Sequence, residues 1–195
     1  MNDAIRAEYI SLFSTCTVTF TKTVDVQGFI NRLMQGVTQY EGVQASTMVP
    51  WYVIGLIHGM ECDFSFHQHL YNGDPLTHRT VQVPAGRPPA SVGDPPFAWK
   101  VSAIDALHYD NFTSWTDWSI AGICFKLEGY NGWGYRKHGI NSPYLWSYSN
   151  HYNRGKYVAD GHWDADAVSK QVGAITALKK MVDDHLVALT ASNPS

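Results

Sequence analysis

The sequence predicts a single domain of the α+β class that is mainly helical. Apolar residues recur at helical spacing over most of the chain, and one proline-rich stretch leaves room for a small β-hairpin. The 195 residues suffice for one well-buried core and are few for two. With 45% hydrophobic and 16% charged residues, the composition is typical of a folded globular chain. We therefore expect one domain over residues 1–195.

Three helices are predicted in the first third of the chain. Residues 2–14 and about 24–40 have apolar positions at helical spacing, which indicates two amphipathic helices. Pro50 opens a third helix, Val49 to Glu61, because proline is favoured in the first helical turn. This third segment is apolar almost all round, so we expect it to be buried in the core.

A long structured loop is predicted from Asn72 to Pro96, where six of the nine prolines lie. Within it, Thr77 to Val83 is rich in β-branched residues, which predicts a short strand of a small hairpin. Long loops inside compact domains are commonly functional, so this one is a candidate wall of a cleft. Three later helices are predicted from aspartate caps, over Asp94 to about His108, Asp117 to Leu127, and Asp164 to Val182.

Charge and cysteine content exclude several classes of function. The formal net charge of -3 provides no basic surplus for binding a phosphate backbone, so nucleic acid is not an expected partner. The three cysteines, Cys16, Cys62 and Cys124, have no CxxC spacing, and we interpret them as buried thiols. The chain starts without a secretory signal and has no apolar run of roughly 20 residues, so we expect synthesis in the cytoplasm and no membrane insertion.

Two carboxylates in contrasting surroundings are the candidate catalytic groups. Glu61 ends the predicted buried helix, where apolar neighbours and the negative end of the helix dipole should raise its pKa. Asp74 lies in the turn Asn72-Gly73-Asp74-Pro75, where water should keep it ionised. Glycoside hydrolysis uses such a pair, with one carboxylic acid and one carboxylate.

Structural interpretations of the same carboxylates remain open on spacing alone. Glu61 fits a helix-end carboxylate bonded to backbone amides or to an arginine. Asp74 fits an ordinary turn aspartate before proline. Glu128, at the end of its own predicted helix before Gly129, is a rival acid.

Three long motifs carry a resemblance to a known family. They are Pro50-Trp51-Tyr52-Val53-Ile54-Gly55-Leu56-Ile57-His58-Gly59-Met60-Glu61, then Asn72-Gly73-Asp74-Pro75-Leu76 with Thr80-Val81-Gln82-Val83-Pro84-Ala85-Gly86-Arg87-Pro88, and then Leu127-Glu128-Gly129-Tyr130-Asn131-Gly132-Trp133-Gly134-Tyr135 with Ser142-Pro143-Tyr144-Leu145-Trp146-Ser147. Together they closely resemble a family of phage and bacterial lysozyme-like proteins. More distantly, Glu61 and Tyr130-Asn131-Gly132 resemble elements of goose-type lysozymes and soluble lytic transglycosylases.

The resemblance implies a lysozyme-like helical fold and a peptidoglycan muramidase that cleaves the MurNAc-GlcNAc β-1,4 linkage. Glu61 would protonate the glycosidic oxygen, and the resemblance to goose-type lysozymes favours Asp74 as the base that activates water. An inverting reaction of this kind needs roughly 6.5 to 9.5 Å between the two carboxyl groups. We expect the cleft to lie between the helix ending at Glu61 and the Tyr130 region.

Further residues are predicted to bind the substrate. Tyr130 and Asn131 would offer a ring and an amide to the sugar and its N-acetyl group. Trp133 and Tyr135 are candidate stacking platforms, and Gln82 and Arg87 are candidate hydrogen-bonding groups of the loop. His58, on the same side of its helix as Glu61, and Glu128 complete the predicted set.

Three alternatives to hydrolysis remain. A lytic transglycosylase would form anhydro-MurNAc ends and needs no second carboxylate, but such enzymes typically have serine after the glutamate, where this chain has Cys62. A zinc amidase or peptidase would use His58 and Glu61 with His67 and His69, although zincin helices space their histidines at i and i+4. A non-catalytic wall-binding module is the third, although the chain has no binding repeat.

The expected partner is the glycan strand of peptidoglycan, bound by a monomer that uses no cofactor and no metal. Resemblance to phage endolysins implies that the protein waits in the cytoplasm. It would then reach the wall through a membrane lesion.

Overall fold

The computed structural model describes residues 1–189, so residues 190–195 of the predicted domain lie outside it. It is mainly helical with one two-stranded antiparallel sheet, which confirms the predicted α+β, mainly α class. The helices are α1 Asp3–Thr15, α2 Thr23–Gln35, α3 Val37–Thr47, α4 Trp51–Cys62, α5 Trp99–Tyr109, α6 Ile120–Asn131, α7 Pro143–Trp146 and α8 Ala174–Asp183. The strands are β1 Lys156–Ala159 and β2 His162–Asp164.

The helix predicted over residues 2–14 is confirmed as α1, with the Asn2 side chain accepting a hydrogen bond from the Ile5 N–H at 2.9 Å. The single helix predicted over 24–40 is wrong, because the chain there forms α2 and α3. The break lies at Gly36, where the ring of Tyr40 occupies the space that a side chain would need, 2.5 Å from an added Cβ. Helix α3 continues beyond the predicted end, to Thr47.

The prediction of a buried third helix is confirmed by α4, in which every residue from Tyr52 to Met60 is buried. Pro50 precedes the first turn, and its carbonyl oxygen accepts hydrogen bonds from Val53 and Ile54. A Cβ added at Gly55 would lie 2.8 Å from Cγ of Leu33, so glycine leaves room for the Leu33 side chain against α4.

The predicted hairpin at Thr77 to Val83 is wrong, since the two strands of the sheet lie at 156–159 and 162–164 instead. Proline removes backbone donors from the loop. Side chains take the N–H groups that a ladder would use: Thr80 binds the N–H of Arg87 and Asp74 binds that of Val81. β-branched content alone therefore overstated the tendency of this segment to pair.

Two predicted aspartate caps are wrong. Helix α5 begins at Trp99, and Asp94 forms an ion pair with Arg79 at 2.9 Å. Helix α6 is capped by Ser119, whose hydroxyl accepts from the Gly122 N–H, and it continues through Gly129 to Asn131.

The predicted start of the last helix is also wrong. Asp164 ends β2, and its carboxylate accepts hydrogen bonds from the N–H groups of Asp166 and Ala167, which closes a turn. Helix α8 begins only at Ala174, and the predicted stripe residue Val168 is exposed.

The chain divides into two units, and the division falls within α2. In the first unit, which comprises Met1–Ile30 and the described residues from Asp117 onward, α6 packs against α1 and α7, and α8 packs against α7. In the second unit, Asn31–Thr116, α3 packs against α4 and α5. Cys16, Cys62 and Cys124 are buried and free, as predicted. Within residues 1–189, none of the helices has the length and apolar character to cross a membrane.

Candidate active site

Glu61 is the penultimate residue of α4 and is half-buried, whereas the residues on either side of it, Met60 and Cys62, are buried. The helix ends at Cys62, and the residue that follows it, Asp63, adopts a left-handed conformation with φ 46°. Glu61 thus lies in the last turn, where free carbonyl groups form the negative end of the helix dipole. The sequence predicted Glu61 as the last residue of this helix, and the helix extends one residue further, to Cys62.

The chain after α4 turns back toward the end of that helix. The N–H of His69 donates to the Asp74 carbonyl at 2.7 Å, and the N–H of Leu76 donates to the His67 carbonyl at 3.0 Å. Gly73 forms the tip of this turn with φ 77°, a conformation that favours glycine. A Cβ added at Gly73 would lie 3.5 Å from the carbonyl oxygen of Glu61. The residue before Asp74 therefore contacts the last turn of α4.

Cys62, next to Glu61, belongs to the same junction. Its Sγ donates to the carbonyl oxygen of His69 at 3.1 Å. Burial, followed by the charge of Glu61, raises the pKa of the Cys62 thiol to about 12. Cys62 therefore acts as a neutral hydrogen-bond donor that ties the turn to the helix.

Asp74 is held by three hydrogen bonds from its own loop. Its Oδ2 accepts from the Val81 N–H at 2.8 Å and from the Asn72 amide at 3.0 Å, and its own N–H donates to the Asn72 side chain. The bond from Val81 is the largest effect on its pKa, and with that from Asn72 it outweighs partial burial and lowers the pKa of Asp74. The carboxylate is therefore ionised at neutral pH.

Gln82 lies beside this carboxylate through its backbone, because its carbonyl oxygen accepts from the Asn72 amide at 2.8 Å. Its side chain is exposed. The structure thus brings Glu61, Asp74 and Gln82 into one unit, around the end of α4.

His58 requires a correction. The sequence predicted a substrate-binding role, but the side chain is completely buried among Tyr40, Phe64, Phe66 and Trp99. Its Nδ1 lies 2.9 Å from the Tyr40 hydroxyl, and burial lowers the pKa of the ring to about 4. His58 is therefore a neutral core residue, and a substrate at the protein surface would not contact it.

Arg87 was predicted to hydrogen-bond the glycan, but its side chain binds within the protein. Its guanidinium forms an ion pair with Asp105 of α5, and its Nε lies 3.1 Å from Oδ2 of that residue and 3.2 Å from the Tyr71 hydroxyl. The Tyr71 hydroxyl in turn donates to the same carboxylate. Because Asp105 is buried, this cluster joins the loop to the helix.

In the first unit, Glu128 lies inside α6 and is only 4% exposed. Arg136 places its Nε 2.8 Å from one oxygen of Glu128 and donates to the other at 3.0 Å. The hydroxyl of Tyr9 donates to Glu128 as well, and Glu8 binds the outer side of Arg136 at 3.2 Å. These four side chains line a pocket of about 230 Å³, and Ser142 lies on its wall. These contacts are those of a paired carboxylate, and they do not favour Glu128 as the catalytic acid.

The predicted aromatic and amide residues lie close to this pocket along the chain. Tyr130 is half-buried in α6, and the Asn131 amide donates to the Ser142 hydroxyl at 3.3 Å. Trp133 is 38% exposed, as a stacking platform requires. Tyr135 is 8% exposed, with its ring under the hairpin that carries Tyr157 and Trp163. Its prediction as a platform is therefore corrected to a packing role.

Two of the histidines that the zinc alternative would use, His58 and His69, have protein partners of their own. Both ring nitrogens of His69 are occupied, Nδ1 by the Ser102 hydroxyl at 2.7 Å and Nε2 by the His78 carbonyl at 2.8 Å. Within the described part of the chain, no three His, Cys, Asp or Glu side chains are grouped so that they could hold a metal ion.

The sequence did not indicate three partners of two predicted residues, Glu128 and Arg87. Tyr9 and Arg136 bind Glu128, and Asp105 binds Arg87, over separations that no local motif reveals. Gly73 carried the one usable signal, because glycine between Asn and Asp indicates a left-handed turn.

No protein-family model, curated protein or solved structure matches this chain.

Proposed function

We propose that the protein is a peptidoglycan hydrolase that cleaves the MurNAc-GlcNAc β-1,4 linkage, with Glu61 as general acid and Asp74 as the base that activates water. The observation that carries the proposal is the turn after α4, which returns Asn72, Gly73 and Asp74 to the helix end that bears Glu61. Two carboxyl residues distant from each other by 13 positions thereby share one end of a buried helix.

The contrast between the two carboxyl groups supports their division of roles. Glu61 is half-buried between two buried residues, in the last turn of a helix where free carbonyl groups form the negative end of the dipole. Asp74 accepts hydrogen bonds from Val81 and Asn72, which favour its ionised form. One acid and one carboxylate are what glycoside hydrolysis requires.

The surroundings of Asp74 supply the remaining support. The Gln82 backbone lies beside the carboxylate and its side chain is exposed, and Val81 and Val83 on either side are 66% and 89% exposed. The loop thus offers an amide flanked by apolar surface, a combination suited to the polar groups and apolar faces of a sugar. The proposed partner is the glycan strand of the cell wall.

Glu61→Gln tests the acid. The amide has the same shape and cannot donate the proton, so the rate at which purified protein clears a peptidoglycan suspension should fall about 100-fold or more. Glu41→Gln is the matched control, because Glu41 is an exposed glutamate of the same unit. Clearing by Glu61→Gln at the normal rate, with folding unchanged by circular dichroism, would contradict the proposal. Loss of clearing with a chelator would instead indicate a metal enzyme.

Asp74→Asn separates hydrolysis from transglycosylation. A hydrolase that uses Asp74 as base should lose its activity in this variant, and mass spectrometry of wild-type products should show reducing MurNAc ends. Anhydro-MurNAc ends, together with an active Asp74→Asn variant, would assign the protein to the transglycosylases. Binding to the wall without any released fragment would identify a binding module.

A further inference from the structure

The loop segment that carries Val81 and Gln82 is joined to α5 by a continuous series of hydrogen bonds. At one end, Asp105 of α5 forms an ion pair with Arg87, whose guanidinium also lies 5.0 Å over the ring of Tyr109. The charged pair is shielded, since only 10% of the Asp105 side chain and 24% of the Arg87 side chain are exposed. The Tyr71 hydroxyl binds both partners.

The next link is between Arg87 and Thr80. The Thr80 N–H donates to the Arg87 carbonyl at 2.8 Å, and the Arg87 N–H donates to the Thr80 hydroxyl oxygen at 2.9 Å. Thr80 also closes the tip of the segment, because its hydroxyl donates to the Pro84 carbonyl and its own carbonyl accepts from the Gly86 N–H. Thr80 is buried, with 3% exposed, and its two hydrogen bonds with Arg87 tie its position to that of Arg87.

The last link reaches the candidate base. Val81 follows Thr80 directly, and its N–H donates to Oδ2 of Asp74 at 2.8 Å. Val81 makes this contact through its backbone while its side chain is exposed, so no packing of its own holds it there. The direction of the Val81 N–H therefore depends on Thr80, and through Thr80 on the Arg87–Asp105 pair.

We propose that Arg87 and Asp105 are positioning residues for Asp74, whose ion pair holds the Val81 N–H against the carboxylate. This proposal rests on the proposed function in one respect, which is that Asp74 takes part in turnover. Neither residue is proposed to touch the substrate. Their effect is on the orientation and ionisation of the base.

Asp105→Asn distinguishes positioning from a simple charge effect, because the two act in opposite directions on the pKa of Asp74. Removing a negative charge from the same unit would favour ionised Asp74 and lower its pKa. Releasing Arg87 would instead weaken the Val81 hydrogen bond and raise the pKa of Asp74. His78 also faces Asp74, and its charge favours the ionised form, so the comparison is made in a His78→Gln background.

The experiment titrates the side-chain carboxyl carbon of Asp74 by NMR and measures amide hydrogen exchange of Val81, both without substrate. For Asp105→Asn, a raised pKa of Asp74 and exchange at Val81 faster by about tenfold or more support the proposal. Arg87→Lys keeps the charge but lacks the forked guanidinium, so it should give smaller changes of the same sign and serves if Asp105→Asn does not fold. Arg154→Gln, which removes an exposed arginine–aspartate pair of the first unit, should change neither quantity. A pKa that is lowered or unchanged in both variants would overturn the proposal.

An activity measurement keeps the two proposals apart. If Asp74 is the base, the acid limb of the pH profile of wall clearing should move to higher pH in Asp105→Asn, since Asp74 must be ionised. Should Glu61→Gln remain active, the proposed function fails while the titration result for Asp74 stands. Should Glu61→Gln be inactive and the titration show no change, only the positioning role fails.

Discussion

The buried His58 should make the protein less stable in mildly acidic solution. The ring is completely buried in an aromatic cluster, and burial lowers its pKa from 6.5 to about 4. An unfolded chain takes up a proton at this position as the pH falls below about 6.5, whereas the folded protein does so only near 4. The folded state therefore loses stability between these two values, and below about pH 4 the loss levels off.

The size of the loss follows from the shift. At 1.36 kcal/mol for each pH unit, a change from 6.5 to about 4 corresponds to a loss of about 3 kcal/mol in the free energy of unfolding. This is a large share of the roughly 5 to 15 kcal/mol typical of folded proteins. At pH 7 both states hold His58 neutral, so the effect is absent there.

Urea denaturation at pH 7, 5.5 and 4 measures the effect. Because the Tyr40 hydroxyl would lose its partner if His58 alone were replaced, the test variant is Tyr40→Phe with His58→Phe, compared with Tyr40→Phe. The single variant keeps the histidine and should lose about 3 kcal/mol more than the double variant between pH 7 and 4. Parallel stability curves for the two variants over this range would refute the assignment of His58 as a buried neutral ring.

Two further predictions concern packing and charge. Gly122→Ala should lower the free energy of unfolding by about 2 kcal/mol or more, because an added Cβ would lie 2.0 Å from a backbone oxygen. Gly28→Ala is the control: this helical position has nothing within 4 Å, so the substitution should raise the free energy of unfolding by about 1 kcal/mol. Equal effects of the two substitutions in urea denaturation would contradict this reasoning. Arg136→Met should cost about 3 kcal/mol because it leaves Glu128 buried without its ion partner. Arg154→Met removes an exposed pair and should cost no more than about 1 kcal/mol, so a similar loss in both variants would show that the buried pair has no special weight.

Local patterns predicted the parts of the fold that depend on local physics. The spacing of apolar residues predicted α1 and α4, and apolar residues all round α4 correctly indicated burial. Helix starts were less predictable, because several residues near each start could act as caps. Asp117 and Ser119 both precede α6, but Ser119 caps the helix while Asp117 forms an ion pair with Arg6, 111 positions away.

The candidate site was predictable to a similar extent. Glycine in Asn72-Gly73-Asp74 indicated a turn, and the structure shows that this turn contacts the end of α4. Burial of individual rings was not predictable, since helical spacing places His58 on the side of Glu61 without showing what packs around it. The aromatic residues that enclose His58 come from three different segments, and their arrangement depends on the tertiary fold.

The way in which the loop is anchored affects how freely its sequence can change. Its fixed points, Asp74, Thr80 and Arg87, are held by contacts within the protein, whereas Val81, Gln82 and Val83 between them point their side chains into solvent. Substitutions at these three exposed positions leave the anchoring bonds in place, because Val81 and Gln82 join the network only through backbone atoms. Such an arrangement allows selection to alter the surface presented beside the carboxylate while the scaffold stays constant, which makes the segment suitable for directed evolution.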